Sequence, residues 1–317
     1  MSMLIQRPGI LTTVQDLGRY GNRRFGINPG GVMDPTAARL INILLDNREN
    51  DAVLELHFPA PQILFKRDAA IAIGGADFAP QLDGMPIPSW SAVNVTAGTV
   101  LKFAGKKHGN RAYLAVRSGF KVESWLGSSA TNLSAKMGGF AGRRLEAGDR
   151  IEFEDDGRII SSQARISPWL VPHYSTSPVV RVLAGAEFHK LTDDGRERFL
   201  NGRFGISPKS DRMGFRLIGE PVELSNREEM TSSPVSFGTI QSLPDDQMII
   251  LMADHQTTGG YPRLAHVISH DLPLVAQLGP GDKLSFQLVT QNDAEALEVD
   301  LARHLKFLRV GSRFESA

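Results

Sequence analysis

Short runs of β-forming residues, each closed by a turn residue, are the feature that most constrains the fold of this chain. The runs are three to six residues long and are bounded by Gly, Pro, Asp or Asn, which supply turn dihedrals. Such spacing is typical of barrels and sandwiches rather than of alternating strands and helices. We therefore predict a mainly β fold with a few helices. The predicted strands are residues 53–58, 69–73, 100–103, 112–116, 151–153, 179–183, 248–253, 266–268 and 284–289.

Composition excludes several function classes. The 317 residues carry 35 Lys plus Arg against 35 Asp plus Glu, and a net charge of zero argues against a nucleic-acid binder. Cysteine is absent, which excludes disulfides, a thiolate nucleophile and Cys-ligated metal. No signal-peptide apolar stretch follows the first residues, and the longest apolar run, 248–253, is far shorter than the roughly 18 residues of a membrane span. We expect a cytoplasmic protein.

Two helices and one boundary stand out in the chain. Asp34 and Pro35 form an N-cap and a first helical residue ahead of an apolar face. Near the C-terminus, Asp293 is the predicted cap of a helix that ends before Gly311. Residues 155–178 carry Pro, Ser and charge without periodicity, so we place a boundary there. The predicted domains are 1–165, 166–290 and a C-terminal helix and tail at 291–317.

The densest polar loop directly follows the apolar strand at 248–252. It holds Asp254, His255, Gln256, Thr257 and Thr258, and then Gly259, Gly260 and Tyr261. Adjacent glycines allow backbone N–H groups to face a bound carboxylate or phosphate without obstruction from a Cβ atom, which predicts an anion cradle. The alternative is a Thr-Gly-Gly hairpin turn with polar neighbours.

Two further polar clusters are weaker candidates for a site. Arg212 lies two residues before Gly214, and a guanidinium binds carboxylate or phosphate in bidentate fashion. The cluster at 12–21 combines hydroxyls with Gln15, Asp16 and Arg19. The alternatives are surface salt bridges around a turn for the first cluster and a capped loop for the second.

Several familiar motifs are absent or incomplete. No Gly-x-x-x-x-Gly-Lys-Ser/Thr phosphate loop exists. His266 and His270 are four apart, but the residues between them resemble a strand and no Glu follows the first histidine, so we predict no metal site. Lys136 follows Ala135 where a biotin-acceptor site has Met, so we expect no covalent biotin on this chain.

Long, ordered motifs extend over nearly the whole chain. They are PGILTTVQDLGR at 8–19, residues 26, 33–34, 54–56, 138–139 and 142–143, SDRMG at 210–214, residues 216–217, GTIQ at 238–241, residue 254, QTTGGYP at 256–262, and residues 276–277 and 280–282. Together these motifs resemble one family, the C-subunit family of bacterial 5-oxoprolinase. This family is related to the KipA antagonist and to the carboxyltransferase region of urea carboxylase.

The chain also departs from the family pattern at three places. Ser118 stands where relatives have the first of two glycines, and Ala130 replaces the serine of a Ser-Thr pair. Either change can reshape a loop near a site. Residues 246–248 replace a Gly-x-Pro turn, which we interpret as a turn variant.

The resemblance implies an architecture, a reaction and partners. It implies cyclophilin-like β-barrels in two halves, and a heteromer with a B-subunit-like chain that an A-subunit-like protein completes. The implied reaction is ATP-dependent opening of 5-oxo-L-proline to L-glutamate, by a chain that is inactive alone. The implied cofactor is ATP, with or without Mg²⁺, at a site that can be shared between subunits.

The resemblance also suggests roles for individual residues. Asp254 is the general-base candidate, Arg212 the anion clamp and Gln241 a third catalytic candidate. Gln256, Thr257, Thr258, Gly259, Gly260 and Tyr261 would bind substrate or anion, and Gln15, Asp16 and Arg19 are weaker candidates. Two other functions stay open: a biotin-dependent carboxyltransferase component with biotin on another chain, and a non-catalytic KipA-like antagonist of a kinase inhibitor.

Overall fold

The computed structural model describes residues 2–153, 164–226 and 230–315. Contacts between residues divide the chain into two compact units. The first comprises Met1–Arg19, Gly30–His173 and Ala302–Ala317, and the second comprises Tyr20–Pro29 and Tyr174–Leu301. The predicted domain ranges at 1–165, 166–290 and 291–317 stay a prediction; the contacts add that residues 20–29 group with the later part of the chain.

The first unit contains most of the strands. They are β1 (Ser2–Arg7), β2 (Thr12–Gln15), β3 (Val53–His57), β4 (Gln62–Phe65), β5 (Ala69–Asp77), β6 (Pro80–Leu82), β7 (Met85–Pro86), β8 (Ala92–Val95), β9 (Val100–Phe103), β10 (His108–Val116), β11 (Phe120–Lys121) and β12 (Arg150–Phe153), with helix α1 (Pro35–Leu44).

The second unit contains the remaining strands and two further helices. They are β13 (Val179–Ala184), β14 (Phe204–Ile206), β15 (Gly214–Ile218), β16 (Ser233–Pro234), β17 (Thr239–Ser242), β18 (Met248–Leu251), β19 (Thr258–Gly259), β20 (Arg263–Val267) and β21 (Lys283–Leu288), with α2 (Asp193–Asn201) and α3 (Leu272–Ala276). A fourth helix, α4 (Gln291–Glu315), follows.

Two sheets of the first unit share one hydrophobic core. Their strand orders are β11-β12-β1-β4-β9-β6-β7 and β2-β3-β10-β5-β8. Strand alternation explains the core: in β1, Met3 and Ile5 are buried while their neighbours are partly exposed. Burying these apolar side chains against those of the other sheet supplies the main stabilisation. The core includes Met3, Ile5, Leu54, Leu56, Ile63, Phe65, Ile71, Leu101, Leu114 and Ile151.

The second unit is a closed barrel of seven strands, in the order β13-β20-β17-β18-β15-β14-β21. The parallel pairing of β13 with β21 completes the ring. Helix α2 packs on the barrel through Phe199, whose ring stacks on that of Phe286 with centroids 4.8 Å apart. Ring stacking and apolar burial at Phe199 therefore hold α2 against the barrel, although most other residues of α2 are polar.

These elements confirm the predicted mainly β fold with a few helices and a barrel. The strand ends differ where glycine suggested a turn. Strand β5 continues past Ile73 through Gly74 and Gly75 to Asp77. A Cβ on Gly74 would lie 2.6 Å from the Ile41 side chain, so this glycine permits helix α1 to approach the strand rather than ending it.

Other strand boundaries were also shifted in the prediction. The strand predicted at 266–268 spans Arg263–Val267, because β20 pairs with β17 as far as Arg263. The strand predicted at 248–253 ends at Leu251, and the chain then continues into the polar loop.

Helix α2 is not predicted from the sequence, because only Gly195 and Phe199 of its residues are buried and no apolar stripe marks it.

Both predicted helices exist, but the details of the second were wrong. Helix α1 begins after Asp34, whose Oδ1 accepts a hydrogen bond from the N–H of Ala37 at 2.9 Å. Helix α4 continues through Gly311 to Glu315, since a helical glycine costs only about 1 kcal/mol relative to alanine. Its cap is a reciprocal pair: Asp293 accepts from the N–H of Thr290 at 3.0 Å, and the Thr290 hydroxyl accepts from the N–H of Asp293 at 3.2 Å.

Among the described residues, no helix combines the length and the apolar character that crossing a bilayer requires.

Candidate functional site

The predicted base and the predicted anion clamp lie side by side in the second unit. Strands β15 and β18 pair, and beyond their ends the N–H of Asp254 donates to the carbonyl of Arg212 at 2.8 Å. This backbone link places the two side chains together. The Arg212 guanidinium then donates from Nε to Asp254 Oδ2 at 2.8 Å and from Nη2 to Oδ1 at 3.1 Å. The result is a bidentate ion pair, which is the strong form of such contacts.

His255 is the buried centre of the same loop. Its side chain is almost fully buried, and its Nδ1 lies 2.5 Å from the carbonyl oxygen of Gln256. Burial lowers the pKa of His255 and is the largest cause; the Gln256 carbonyl opposes it, the charge of Arg23 adds to it, and Asp254 opposes it. The neutral imidazole is therefore favoured, with its Nδ1 hydrogen directed at Gln256 and its Nε2 lone pair able to accept a proton.

The segment 20–29 anchors this loop within the second unit. Asn28 donates from Nδ2 to the carbonyl of His255 at 3.2 Å, and Arg23 donates from Nη2 to the carbonyl of Val235. Val235 in turn donates its N–H to the carbonyl of Thr257 at 3.2 Å. A stretch that precedes the barrel strands in sequence therefore helps to position the candidate loop.

A second, partly buried histidine lies on strand β20. His266 Nδ1 is 3.4 Å from the Thr239 hydroxyl, at the long end of a hydrogen bond. Burial lowers the pKa of His266, and the proximity of His255 lowers it further. The neutral imidazole is therefore favoured at both His255 and His266.

Gln241 connects strand β17 to the end of the loop. Its side chain is almost fully buried, and Nε2 donates to the carbonyl of Tyr261 at 3.1 Å. Within the part of the chain that the structure describes, Oε1 of the same amide has no hydrogen-bond partner. Gly259 lies against this amide: a Cβ on Gly259 would be 2.8 Å from Nε2 and 3.3 Å from Oε1.

The other predicted loop residues lie at the surface or in a short ladder. Gln256, Thr258 and Tyr261 are exposed, and Thr258–Gly259 forms β19, which pairs with β16. Neither Gly259 nor Gly260 has a positive φ, so close approach rather than left-handed backbone explains these glycines. The loop is thus a small hairpin-like layer with exposed polar groups, and the roles suggested for its residues stay predictions.

Gln15, Asp16 and Arg19 lie in the first unit. Asp16 accepts hydrogen bonds from the Ser128 hydroxyl at 2.7 Å and the Ser129 N–H at 2.6 Å. Arg19 donates to the carbonyl of Ala130, so both charged side chains hold the loop that begins at residue 127. Gln15 Nε2 donates to the Thr13 hydroxyl at 3.1 Å and to the carbonyl of Thr131 at 3.3 Å, and among the described residues Gln15 Oε1 has no hydrogen-bond partner. All three side chains therefore contact the loop that begins at residue 127.

Arginine side chains of the second unit form ion pairs with carboxylates of the same unit. The exposed fractions of the Arg212 and Asp254 side chains are 6% and 17%, so the pair is poorly screened by water. On the same barrel, Arg263 pairs with Glu187 and Arg181 with Asp271. Within the described ranges, no group of three or more His, Cys, Asp or Glu side chains is arranged to hold a metal ion.

The sequence points to the loop but assigns no catalytic or binding role to three contributors, His255, His266 and Arg23. His255 lies between two predicted residues, so its position was a usable signal. His266 was considered only for metal binding, and its contact with Thr239 depends on the pairing of β17 with β20. Arg23 has no local sequence signal, since its hydrogen bond to Val235 joins residues 212 positions apart.

The fold and site define a carboxyltransferase-type protein: residues 25–288 match the family "Carboxyltransferase domain, subdomain A and B", and the chain belongs to this family. It is 39% identical to the C subunit of 5-oxoprolinase from Haemophilus influenzae, over 90% of each chain. It is also 33% identical to the C subunit of 5-oxoprolinase from Escherichia coli, over 96% of each chain.

Solved structures extend the similarity to much larger proteins. The urea carboxylase of Kluyveromyces lactis superposes with a TM-score of 0.90 and 28% identity, over 98% of this chain and 29% of that one. The urea amidolyase of K. lactis also gives a TM-score of 0.90, at 27% identity, over 97% of this chain and 20% of that one. This chain therefore corresponds to one part of those proteins.

Proposed function

We propose that this chain is the C subunit of a 5-oxoprolinase, which opens 5-oxo-L-proline to L-glutamate with hydrolysis of ATP. The supporting observation is its 39% identity, over nearly the full length of both proteins, to a chain named as the C subunit of 5-oxoprolinase. The name of that relative indicates a multi-subunit enzyme. We propose a B-subunit-like chain as its direct partner and an A-subunit-like protein as the component that completes the enzyme.

The reaction demands activation of a stable amide. Water adds to the lactam carbonyl carbon, the ring C–N bond breaks, and the nitrogen takes up a proton to become the amine of glutamate. ATP supplies the driving force, by phosphorylation of the carbonyl oxygen with later release of phosphate. A protein that serves this step needs a proton acceptor, donors for a carboxylate and an anion-stabilising environment.

The loop of the second unit has residues of the required types. Asp254 and the neutral imidazole of His255 are the proton-accepting groups, and Arg212 orients Asp254 through the bidentate pair. The exposed side chains of Gln256, Thr258 and Tyr261 offer hydrogen bonds to a small polar substrate. We propose that this loop contacts the lactam.

The same loop does not fit a triphosphate. Arg212, Arg181 and Arg263 each already form an ion pair with a carboxylate on the barrel. A nucleotide bound there would have to displace these carboxylates, at a high cost for the buried pairs. We therefore propose that partner subunits supply most of the contacts to ATP and any Mg²⁺, and that this chain carries no covalent biotin.

The test is reconstitution. Purified chain is mixed with the A-like and B-like subunits of the same organism, and glutamate released from 5-oxo-L-proline is measured with and without ATP. We expect release that requires both ATP and this chain. Release that is undiminished when this chain is omitted would show the proposal to be wrong. The Asp254→Asn variant should lower the rate by about 10²-fold or more, as expected for a general base.

A second function is favoured by the structural neighbours. The match to K. lactis urea carboxylase covers 98% of this chain, which fits a carboxyltransferase component that uses biotin carried on another protein. A biotinylated partner that co-purifies with this chain and donates its carboxyl group to an amide would favour that function. Stable binding of a kinase inhibitor without turnover would instead favour the KipA-like role.

A further inference from the structure

Helix α4 presents an apolar stripe to solvent. Val299, Phe307 and Val310 are 49%, 74% and 47% exposed, and Ala296 is exposed as well. Together with Arg303 these residues follow one another at intervals of three, four, four and three positions. Because an α-helix completes a turn every 3.6 residues, this spacing puts all five on one face of α4, over about 21 Å of its length. We call this face the α4 stripe.

The α4 stripe is not the side by which the helix packs in the chain. Leu305 is 2% exposed, and Leu301 and Leu308 are partly buried, on the side of α4 opposite the stripe. A helix that packs through one face normally carries polar residues on the other. Exposed apolar side chains in a row on that second face are typical of a docking surface for another helix.

The charges of α4 change sign at the centre of the stripe. Residues 291–302 include four acidic side chains and no basic one, and residues 303–311 include three basic side chains and no acidic one. The acidic residues are Asp293, Glu295, Glu298 and Asp300, and the basic residues are Arg303, Lys306 and Arg309. Two copies of α4 side by side in parallel would therefore oppose like charges, whereas two antiparallel copies oppose acidic and basic halves.

We propose that the α4 stripe is the contact surface for a second copy of this chain, with the two α4 helices antiparallel and Arg303 at the two-fold axis. The stripe is complementary to itself in this arrangement, as a two-fold contact requires. Val299 of each copy then lies opposite Phe307 of the other. The inference concerns the assembly of this chain and does not depend on the proposed function.

The same arrangement matches the remaining positions of the stripe. Ala296 lies opposite Val310 of the second copy, so a small side chain faces a larger one at each end. Asp300 lies opposite Lys306 of the second copy, three positions on either side of the axis. Arg303 is about 4.5 Å along the helix axis from Asp300 of the second copy, which offsets the repulsion between the two Arg303 side chains.

The first test is the oligomeric state of the full chain. A contact about 21 Å long is short compared with the interfaces of permanent dimers, so we expect a reversible dimer with a dissociation constant of roughly 10–100 µM. Sedimentation equilibrium over a range of concentrations measures this constant. A chain that stays monomeric up to about 1 mM would overturn the inference.

The absence of cysteine allows a direct test of the antiparallel arrangement. An introduced cysteine is the only thiol of the chain, and a disulfide needs Cα atoms within about 7 Å. Arg303→Cys should form a disulfide-linked dimer under mild oxidation. Val299→Cys and Phe307→Cys should each fail to cross-link alone and should cross-link when mixed.

The control for cross-linking is Glu298→Cys, on the side of the same helix. Its counterpart in the second copy would be about 15 Å away along the axis, so no disulfide should form. Self-cross-linking of Val299→Cys would show a parallel pair. That result, or Arg303→Cys that cross-links no more than Glu298→Cys, would overturn the antiparallel arrangement.

Charged substitutions test whether the stripe itself drives association. Val299→Lys places a cation opposite the basic half of the second helix, and Phe307→Glu places an anion opposite the acidic half, so each should weaken the dimer about 10-fold or more. The double variant brings lysine opposite glutamate in both contacts and should dimerise more tightly than either single variant. Val179→Lys, at a 55% exposed valine of β13, is the matched control and should leave the dissociation constant unchanged. Equal dissociation constants for wild type and the single α4 variants would place the dimer contact elsewhere and overturn the inference.

Discussion

Arg212 and Asp254 form a bidentate ion pair, 42 residues apart in sequence, with N–O distances of 2.8 and 3.1 Å. Both side chains are mostly withdrawn from water. The two residues that the sequence suggested for separate tasks, an anion clamp and a base, are therefore one structural unit. Replacing either side chain changes the state of the other.

Removing one partner of this pair should destabilise the second unit. Arg212→Ala or Asp254→Ala leaves a largely buried charge without its counter-ion, and we expect a loss of about 3–5 kcal/mol in the free energy of unfolding. The double variant should lose less than the sum of the single losses. Urea unfolding of the three variants measures these losses.

The control for this experiment is a more exposed ion pair of the same unit. Arg198 lies 3.7 Å from Glu220, whose side chain is 82% exposed. Glu220→Ala should cost less than about 1 kcal/mol, as expected for a surface pair. Equal losses at Glu220 and Asp254 would contradict a special role for burial at the candidate site.

Two histidines of the second unit, His255 and His266, should make stability fall in mild acid. Burial lowers the folded-state pKa of His255 and of His266 below the unfolded value of about 6.5. Between those values the unfolded chain binds more protons, so the free energy of unfolding rises with pH and falls as pH drops below about 6.5. This is the sign for depressed histidines: the stability is present above the unfolded pKa and declines below it.

Urea midpoints at several pH values between 5 and 8 check this prediction. His255→Gln and His266→Gln should each flatten the dependence, and the double variant should flatten it most. His173→Gln, at an exposed position of the first unit, is the control and should leave the slope unchanged. A slope that survives in the double histidine variant would assign the pH dependence to other groups.

More of the fold than of the candidate site could be predicted from the sequence, because the signals for strands and helix caps are local. Turn residues and apolar alternation are local signals, so β9, at residues 100–103, was predicted to its exact ends. The cap of α1 was equally local. Glycine is a less reliable signal for the end of an element. Gly74 lies inside β5 and allows helix α1 to pack closely, and Gly311 lies inside α4 without ending it.

The site depends on contacts that no local pattern encodes. Residue types and motif resemblance marked Asp254 and Arg212, but their pairing follows from the register of β15 with β18. Arg23 contacts Val235, which is 212 positions away in sequence, and the burial that lowers the pKa of His255 is a property of the folded loop. Such features become visible only in three dimensions.

A buried hydrogen-bond network in the first unit should be sensitive to loss of one hydroxyl. Tyr113 donates to Glu55 Oε2 and accepts from the N–H of Asp34, each at 2.9 Å. Burial raises the pKa of Tyr113, and the charges of Glu55 and Asp34 raise it further, so the hydroxyl stays protonated and able to donate. Tyr113→Phe removes both hydrogen bonds within the buried region.

We expect Tyr113→Phe to lower the free energy of unfolding by about 1–3 kcal/mol, because buried polar atoms lose their partner. Tyr20→Phe, at a side chain that is 73% exposed, is the matched change and should cost less than Tyr113→Phe, because water reaches this hydroxyl. Thermal or urea unfolding monitors both variants. Equal stability of Tyr113→Phe and wild type would show that water replaces the lost hydroxyl.

Two glycines with left-handed backbone separate steric clash from backbone strain. Gly142 has φ of +65°, and its Cβ would lie 2.1 Å from the backbone of Lys136. Gly98 has φ of +90°, and nothing lies within 4 Å of the corresponding position. Alanine is strained by positive φ at both sites, at roughly 1–2 kcal/mol each, but only Gly142→Ala must also displace backbone. We expect Gly142→Ala to cost about 1–3 kcal/mol more than Gly98→Ala, as overpacking does. Urea midpoints of the two variants measure this difference directly, and equal losses would mean that the 136–142 loop moves aside without cost.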